Sequence, residues 1–455
     1  MVPFQIPREN PESRRAPAPP ARPSPRQLAF EVLVERERGT DFTEDLLEDA
    51  LDCARLAPQD RALCQELVFG IVRWQAALDW LIAHKTQGRR QLLPVRVILR
   101  LGIYQLFWLD RIPQHAAVSE SVELARSNDL EPQASFVNAV LRTFTREIEP
   151  TRLALDDLKA REPHLGWSHP AWLVRRWLAR WSADDCARLF AWNNSPPPTF
   201  ARVNTLRCDP GTLLEKWRHE GVEYDFVRRD WVRENFLFKL KSHPPLGRLE
   251  SFLTGCFYVQ DPSTLLAVTE LAPQSGETIL DLGAAPGGKT TVIAARMNNA
   301  GRIFAVDDSP ARIRLLNDNC RRAGINCVET TSDPTTATWI ARHGLFHRAL
   351  VDAPCSNTGV LRRRVDLRWR LTEADLSILR ATQLELLTRA ASCLKPGGTL
   401  IYSTCSLEPD ENSEVVNEFL SAHKEFTLER ERELLPFRDE TDGAYVATLR
   451  RRGGG

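Results

Sequence analysis

The sequence lacks an excess of charge of either sign, because 60 lysine and arginine residues balance 60 aspartate and glutamate residues over 455 positions. A net charge of zero provides no bulk attraction to a polyanion, so any nucleic-acid binding must depend on a local basic face. The chain also lacks Cys-x-x-Cys pairs and cysteine–histidine clusters with zinc-ligand spacing, and we therefore expect no metal site. Its ten cysteines do not form the dense pattern of a disulfide scaffold, so we expect reduced thiols and a cytoplasmic protein.

Long apolar runs are missing as well. No stretch approaches the roughly 18 apolar residues of a membrane-spanning helix, and we expect no membrane association. Residues 1–25 are rich in proline, arginine and alanine and lack the apolar core of a secretory signal, which predicts a disordered arm. The length of the chain predicts two or three folded domains, and we expect the protein to be a monomer.

Residues 26–148 carry apolar side chains at helical spacing throughout, as in the stripe of Leu63, Leu67 and Ile71. Such stripes predict amphipathic helices that each bury one face, and hence an all-α bundle as the N-terminal domain. Prolines at several positions between residues 149 and 170 predict a break in regular structure after this bundle.

A small α/β module is predicted for residues 165–255. A strand at Thr199–Val203 is followed by a helix at Pro210–Glu220 and a second strand at residues 222–227. Three tryptophans near the start of the module are either core aromatics, which is the favoured interpretation, or a platform for stacked bases. These residues are Trp172, Trp177 and Trp181.

Near-continuous apolar strands alternate with helices between residues 256 and 450. This pattern predicts a mostly parallel, Rossmann-like sheet with helices on both faces. The predicted strands lie at Thr278–Leu282 and Arg302–Val306 and at residues 328–331, 348–351, 399–402 and 444–449. The carboxyl ends of such strands form the edge at which open α/β sheets bind their ligands.

A glycine-rich turn after the first of these strands is a candidate cofactor loop. It matches neither the Walker nor the Gly-x-Gly-x-x-Gly pattern, so on its own it indicates only a nucleotide-like ligand. Acids at four successive strand ends suit S-adenosylmethionine, because carboxylates bind its ribose and amino group while open backbone accommodates its methionine part. The expected cofactor-binding residues are Asp281, Gly283, Ala284, Ala285, Pro286, Gly287, Gly288, Lys289, Asp307, Asp333 and Asp352.

Two cysteines follow short apolar runs at the ends of two later strands. Cys355 lies three residues after Asp352, and Cys405 lies within Ser403–Ser406. Two thiols beside a cofactor loop indicate covalent catalysis. The other eight cysteines are expected to be small buried residues, which is the commoner role of a free cysteine. They are Cys53, Cys64, Cys186, Cys208, Cys256, Cys320, Cys327 and Cys393.

Three strings in the C-terminal half, ILDLGAAPGGKT, DAPCSNTG and GGTLIYSTCSLEPDENSEVV, resemble the RNA cytosine-C5 methyltransferases. Two upstream strings, GIYQLFWLDRIPQHAAVSESVELA and FVNAVLRTF, resemble the NusB-like domain of one bacterial branch, the RsmB (Sun/Fmu) 16S rRNA methyltransferases. The resemblance extends from about Leu28 to Leu449. It implies a NusB-like RNA-binding domain at residues 26–148 and a class I, S-adenosylmethionine-dependent methyltransferase domain at residues 256–450.

The resemblance also implies roles for four residues. Cys405, in the Ser-Thr-Cys motif, would add to C6 of the target cytosine and make C5 nucleophilic. Asp352 would hydrogen-bond the base, and Lys289 would hold Asp352 and the base in position. Cys355 would assist loss of the C5 proton and release of the enzyme. Because DNA cytosine methyltransferases use the Pro-Cys thiol as the nucleophile, the division of roles between the two thiols stays open.

Five arginines follow Cys355 closely: Arg362, Arg363, Arg364, Arg368 and Arg370. A charge run is usually a solvated face, but beside a site for RNA it is an equally good candidate for phosphate contacts. The chain departs from the family pattern at three positions, none of which removes a reacting group. Gly283 stands where many relatives have a small residue or cysteine, Asn357 replaces a usual glycine, and Arg364-Val365 replaces a common His-Pro pair.

The favoured function is methylation of cytosine C5 in 16S rRNA, on a nucleotide that is single-stranded or extruded. One alternative is a non-catalytic RNA-binding or antitermination factor that uses the NusB-like bundle, although a binding protein has no need of the acids and both thiols together. Another alternative is a related methyltransferase that acts on tRNA or on another rRNA.

Overall fold

A computed structural model describes residues 23–332, residue 338 and residues 344–453. Most of the predicted arm and the candidate acid Asp333 lie outside the described residues. The chain divides into two compact units, one ending at Leu158 and the other beginning at Lys159.

The first unit is helical throughout its described part. Its first helix begins at Pro25, where the Ser24 side chain accepts the backbone N–H of Gln27 and so caps the helix. The helices of this region are α1 (Pro25–Arg38), α2 (Thr43–Ala54), α3 (Pro58–Arg73), α4 (Gln75–Lys85), α5 (Leu93–Trp108), α6 (Gln114–Ser127), α7 (Glu131–Arg146) and α8 (Ile148–Arg161).

One buried arginine connects three of these helices. Arg100 on α5 forms a bidentate pair with Asp79 on α4, at 2.7 and 2.6 Å, and bonds Glu37 on α1 at 2.9 Å. Its side chain is only 2% exposed, so these two acids supply the hydrogen bonds and the counter-charge that solvent would otherwise provide.

The predicted break after the bundle is wrong in its first part. Helix α8 runs through residues 148–161, and Pro150 occupies its first turn. The N–H groups of a first helical turn have no partner within the helix, so a proline there removes no hydrogen bond. The later prolines do punctuate the chain: Pro163 begins the short α9 (Pro163–Gly166), and Pro170 precedes α10 (Ala171–Arg180).

In the second unit, α10 and α11 (Ala183–Asn193) lead into a four-stranded antiparallel sheet. Its strands are β1 (Thr199–Val203), β2 (Glu223–Phe226), β3 (Leu237–Ser242) and β4 (Phe257–Val259), in the order β2-β3-β1-β4. Helix α12 (Pro210–Glu220) covers the sheet, and α13 (Glu250–Leu253) precedes β4. The sequence had not indicated β3 or β4. Trp217 of α12 is buried against Phe238 and Phe257 of these two strands.

The aromatic residues of α10 also lie in a core. Trp177 is 1% exposed and packs against Phe190 of α11, and its indole N–H donates to Glu408 at 2.9 Å. A buried ring whose polar atom is already bonded has no free face for a base, so the core interpretation is correct for Trp177.

The rest of the second unit contains a seven-stranded sheet of order β10-β11-β9-β8-β5-β6-β7. Its strands are β5 (Thr278–Leu282), β6 (Arg302–Val306), β7 (Val328–Thr331), β8 (Phe346–Asp352), β9 (Leu394–Thr404), β10 (Phe426–Leu434) and β11 (Ala444–Arg451). The helices of this region are α14 (Thr264–Leu271), α15 (Gly288–Arg296), α16 (Pro310–Ala323), α17 (Leu367–Arg370), α18 (Glu373–Ser392), α19 (Ser413–Ala422) and α20 (Pro436–Asp439).

The five strands β5 to β9 are parallel, while β10 and β11 pair antiparallel at one edge. This confirms the predicted mostly parallel Rossmann-like sheet. From β5 the chain builds β6 and β7 on one side and β8 and β9 on the other, so the strand order reverses between β5 and β8. A crevice opens at such a point, at the carboxyl ends of the strands.

Candidate active site

A cavity of 490 Å³ lies at the carboxyl ends of β5, β8 and β9 and also includes residues of β1 and β4. Seven of the residues expected from the sequence line it: Ala284, Ala285, Pro286, Gly288, Lys289, Asp352 and Cys405. Five others belong to the same loops but are not part of the lining among the described residues: Asp281, Gly283, Gly287, Asp307 and Cys355.

The loop after β5 depends on glycine at Gly283. Its φ is +75°, and a Cβ added there would lie 2.2 Å from the backbone oxygen of Asp352 on β8. A side chain therefore fits neither the conformation nor the space. Gly287, with φ of +100°, is the N-cap of α15. The loop thus lies directly against the end of β8.

Asp281, near the end of β5, is completely buried. One carboxylate oxygen accepts the hydroxyl of Thr290 at 2.6 Å, whereas the other has no hydrogen-bond partner among the described residues. Burial raises the pKa of Asp281 to about 7, although the Thr290 hydrogen bond opposes the shift. A buried acceptor without a donor is costly, so this oxygen is suited to a donor from a ligand.

Asp307, at the end of β6, is held by the backbone of two loops. Its carboxylate accepts the N–H of Ala285 at 3.1 Å and that of Ser309 at 3.2 Å. Ser309 in turn caps α16, with Pro310 as the first helical residue, as the sequence predicts. The guanidinium of Arg312 lies 3.3 Å from Asp307. Asp307 therefore ties the loop after β5 to the end of β6.

Lys289 and Asp352 form an ion pair of 2.6 Å inside the cavity. Burial lowers the pKa of Lys289, but the charge of Asp352 and the hydrogen bond to it outweigh burial and leave that pKa raised. The ammonium is thus permanently charged at neutral pH. It holds the carboxylate of Asp352, which is 32% exposed on its side chain, at the cavity surface.

The two thiols lie side by side. Strands β8 and β9 pair in parallel with Asp352 opposite Ser403, so the loops that follow carry Cys355 and Cys405 to the same place. Their sulfur atoms are 3.3 Å apart, and the Cys405 thiol also donates to Oδ1 of Asn357 at 3.1 Å. The hydrogen bond with Cys405 and burial raise the pKa of Cys355 well above its usual range. Cys355 is therefore a thiol at neutral pH.

Asn357, the departure from the usual glycine, preserves the turn. It has a left-handed φ of +58°, a conformation that asparagine tolerates better than most residues. Its side-chain amide donates to the carbonyl of Cys355 at 2.6 Å. Because Oδ1 of Asn357 also accepts the Cys405 thiol at 3.1 Å, this residue forms a bridge between the two cysteine loops.

Glu411 is a central residue that sequence reasoning missed. Its buried carboxylate accepts the backbone N–H of Ser356 at 2.9 Å, the Gln383 amide at 3.1 Å, and the hydroxyls of Ser356 and Ser406. Ser356 follows Cys355 and Ser406 follows Cys405, so this single acid joins both cysteine loops. The only signal in the sequence is an acid six residues after Cys405, inside the string that carries the resemblance.

The arginine run is not a solvated face, and most of it is unavailable to phosphate. Arg362 and Arg363 pair with Asp442 and Asp261. Arg368 is fully buried and donates to backbone carbonyls and to Asn194. Arg370 pairs with Asp366 at 2.7 Å. Only Arg364 among the five is exposed.

The other cysteines differ in burial. Cys64, Cys186, Cys256, Cys320 and Cys393 are buried as expected. The expectation is wrong for Cys53, which is exposed on α2, and only partly correct for Cys208 and Cys327, which are half-buried.

Within the described residues, no cluster of three or more histidine, cysteine or acidic side chains is arranged to hold a metal ion. A search of the same residues found no helix with the length and apolar character needed to cross a membrane.

Comparison with known protein families divides the chain into three matched regions. Residues 23–146 match the NusB family. Residues 169–230 match the ferredoxin-like domain of RsmF/B-like methyltransferases. Residues 268–450 match the 16S rRNA methyltransferase RsmB/F family.

Individual proteins are similar over nearly the whole chain. A probable ribosomal RNA small subunit methyltransferase B of Bacillus subtilis is 33% identical, over 94% of this chain and 99% of that protein. Ribosomal RNA small subunit methyltransferase B of Sodalis glossinidius is 37% identical, over 87% and 91%. Among solved structures, PH0851 has a TM-score of 0.75 and 26% identity, over 93% of this chain and 98% of that chain. The protein therefore belongs to the ribosomal RNA small subunit methyltransferase B family.

Proposed function

We propose that the protein transfers a methyl group from S-adenosylmethionine to C5 of a cytosine in 16S rRNA, through a covalent bond between Cys405 and C6. The observation that carries the proposal is the pair of thiols 3.3 Å apart beside the Lys289–Asp352 ion pair. Direct methylation of nitrogen or oxygen has no need of two adjacent thiols. The named activity of the relatives supports rRNA as the substrate class.

The chemistry follows from the weak nucleophilicity of C5. The Cys405 thiol releases its proton to solvent, its sulfur forms a bond to C6, and the electron pair of the C5–C6 double bond becomes available at C5. When bound, S-adenosylmethionine would supply the electrophilic methyl group for C5 and leave as S-adenosylhomocysteine. Loss of the C5 proton restores the double bond and expels the Cys405 sulfur as a thiolate. The Cys355 thiol, whose sulfur lies 3.3 Å from that sulfur, protonates it and takes up the C5 proton in exchange, so both thiols are regenerated.

Two observations support the division between the thiols. Cys405 lines the cavity, while Cys355 does not belong to the lining among the described residues. The raised pKa of Cys355 keeps it protonated, and a protonated thiol is a poor nucleophile. We therefore assign attack to Cys405 and proton exchange to Cys355.

Asp352 accepts a hydrogen bond from the exocyclic amine of the base and so orients the ring for the addition of sulfur at C6. Lys289 fixes the position of that carboxylate through their 2.6 Å ion pair. Because both groups stand at the end of β8 and the start of α15, they are held by rigid elements rather than by loops.

The residues present fit S-adenosylmethionine. The Oδ1 atom of Asp281 is buried and has no hydrogen-bond partner among the described residues, and Ala284, Ala285 and Gly288 line the cavity. We propose that Asp281 and this loop hold the methionine part, and that Asp307 binds the ribose. Asp333 keeps its expected role as a further ligand.

The test is transfer of tritiated methyl groups from S-adenosylmethionine to unmethylated 16S rRNA, followed by digestion to nucleosides. We expect the label in 5-methylcytidine. Cys405→Ala is expected to abolish transfer and to form no adduct, whereas Cys355→Ala is expected to accumulate a denaturant-stable RNA–protein adduct. Cys53→Ala changes an exposed cysteine on α2 and serves as the matched control.

Each other outcome has a definite meaning. An adduct in Cys405→Ala and none in Cys355→Ala reverses the two roles. Label in any other nucleoside refutes C5 chemistry. Labelling of tRNA in preference to 16S rRNA assigns the protein to the other substrate class. No transfer by the wild type, with tight binding to RNA, favours the non-catalytic alternative.

A further inference from the structure

Most of the positive charge on the loop after Cys355 is neutralised by aspartates from other parts of the chain. Arg362 donates to one oxygen of Asp442 at 2.7 Å, and Arg363 bonds the other oxygen. Arg363 also donates to Asp261 at 2.9 Å. Two arginines and two aspartates therefore form one closed, largely buried cluster at the cavity wall. No positive charge is left over in this cluster.

Arg364 is the exception. Its side chain is exposed, it lines the cavity, and it makes no ion pair or side-chain hydrogen bond with any other residue that the structure describes. Its backbone N–H is bonded to the carbonyl of Val360 at 3.0 Å, so the main chain that carries it is fixed. An uncompensated guanidinium is thus held at the opening of the cavity.

We propose that Arg364 binds a backbone phosphate of the RNA strand whose cytosine enters the cavity. A base that reaches Cys405 must bring its own phosphates to the opening, because base and phosphate are joined through one sugar. The rigid, planar fork of a guanidinium is suited to a phosphate, and no carboxylate of the described residues competes for Arg364. This inference rests on the proposed function for its substrate class.

The position of Arg364 along the chain favours RNA over the cofactor as the ligand. It follows Asn357 and Val360 on the loop next to the thiols, and Asn357 itself contacts the Cys405 sulfur. The cofactor loop, Ala284–Gly288, forms a different wall of the cavity.

The test measures the salt dependence of binding to 16S rRNA transcribed in vitro, without S-adenosylmethionine, between 50 and 300 mM KCl. One phosphate contact contributes a slope of about 0.7 to a plot of log K against log salt for a single strand. We expect Arg364→Ala to lower the slope by about 0.7 and Arg364→Lys to keep it. Arg302→Ala is the control, because Arg302 is exposed at the amino end of β6, opposite the cavity edge.

An unchanged slope in Arg364→Ala, or an equal loss in Arg302→Ala, overturns the inference. Unchanged thermal melting of both variants shows that the fold is intact, as expected for exposed side chains. The readout is independent of methyl transfer. A lowered slope in a protein that makes no 5-methylcytidine therefore supports the phosphate contact and refutes only the proposed chemistry. Absence of wild-type binding to the transcript refutes both.

Discussion

Replacing Glu411 tests whether one buried acid holds the two cysteine loops together. Its carboxylate is the shared acceptor for the backbone N–H of Ser356, the Gln383 amide and the hydroxyls of Ser356 and Ser406. Its backbone oxygen accepts the hydroxyl of Tyr402 at 2.6 Å, a bond that survives any change of side chain. Only the link between the loops is therefore lost in Glu411→Ala.

The magnitude follows from the donors that lose their acceptor. The two serine hydroxyls lie 3.1 Å apart and can bond each other, and Gln383 keeps the carbonyl of Pro354 at 2.9 Å. The Ser356 N–H has no such substitute, and an unsatisfied buried donor costs about 1–3 kcal/mol. With the cavity left by the side chain, we expect Glu411→Ala to lower the free energy of unfolding by about 3 kcal/mol.

Activity is expected to fall further than stability. A displacement of about 1 Å between reacting groups reduces a rate by about 100-fold, so kcat for methyl transfer is expected to fall by about that factor in Glu411→Ala. Glu411→Gln keeps one oxygen for the Ser356 N–H and the Gln383 amide. We therefore expect it to recover most of the stability and at least a tenth of the wild-type kcat.

Urea unfolding and single-turnover methyl transfer below the melting transition measure the two effects. Glu414→Ala is the control, because Glu414 forms an ion pair with Arg380 on the protein surface. Such pairs contribute about 0–1 kcal/mol, and this one touches neither cysteine loop. Wild-type kcat in Glu411→Ala, or equal losses in Glu411→Ala and Glu414→Ala, would refute the reasoning.

Three further predictions concern the loop after β5 and the residues beside it. Gly283→Ala should destabilise the protein by about 3 kcal/mol in urea unfolding, because it introduces backbone strain and overlap with β8. Gly276→Ala, also at positive φ but in open space, should cost about 1 kcal/mol, and equal losses would contradict this. The pKa of Asp281 in the folded protein is raised to about 7, so its protonated carboxyl stabilises the fold below about pH 4. This contribution of about 4 kcal/mol to the free energy of unfolding is lost as pH rises to about 7. Asp281→Asn should remove this dependence from the unfolding free energy, and parallel pH profiles would count against it. Lys289→Met should reduce kcat about 100-fold in single-turnover assays while RNA affinity stays within twofold, because it releases Asp352 at the base; loss of RNA affinity instead would place Lys289 in binding.

Local pattern was sufficient for most of the C-terminal sheet. Apolar runs of strand length and helical stripes repeat there with turn residues between them, and the observed β5 and β6 have the predicted bounds. The antiparallel edge strand β10 was missed because its middle carries charged residues on both faces. Strand β4 was missed because its three residues are too few to show a periodicity. Strand β3, of six residues, was missed although Phe238 and Leu240 alternate with Lys239 and Lys241.

The arginines after Cys355 show where local pattern fails. Their partners are distant in the chain: Asp442 lies 80 residues from Arg362, and Asn194 lies 174 residues from Arg368. A run of like charge has the same appearance in the sequence whether its partners are water, phosphate or buried acids. The long-range pairing that distinguishes these cases is a property of the folded chain.

The sequence by itself determined the order of the parallel strands β5 to β9 and the placing of Asp281, Asp352, Cys355 and Cys405 at or beyond strand ends, because side-chain periodicity and turn residues act within a few positions. Tertiary structure alone decided that β8 and β9 pair in a register that brings the two sulfurs to 3.3 Å. It also decided that Glu411 joins their loops and that Arg364 is left without a counter-charge from the part of the chain that the structure describes. These features depend on contacts between segments that are distant in the chain. Hydrogen bonds and ion pairs between such segments form only when the fold brings them together.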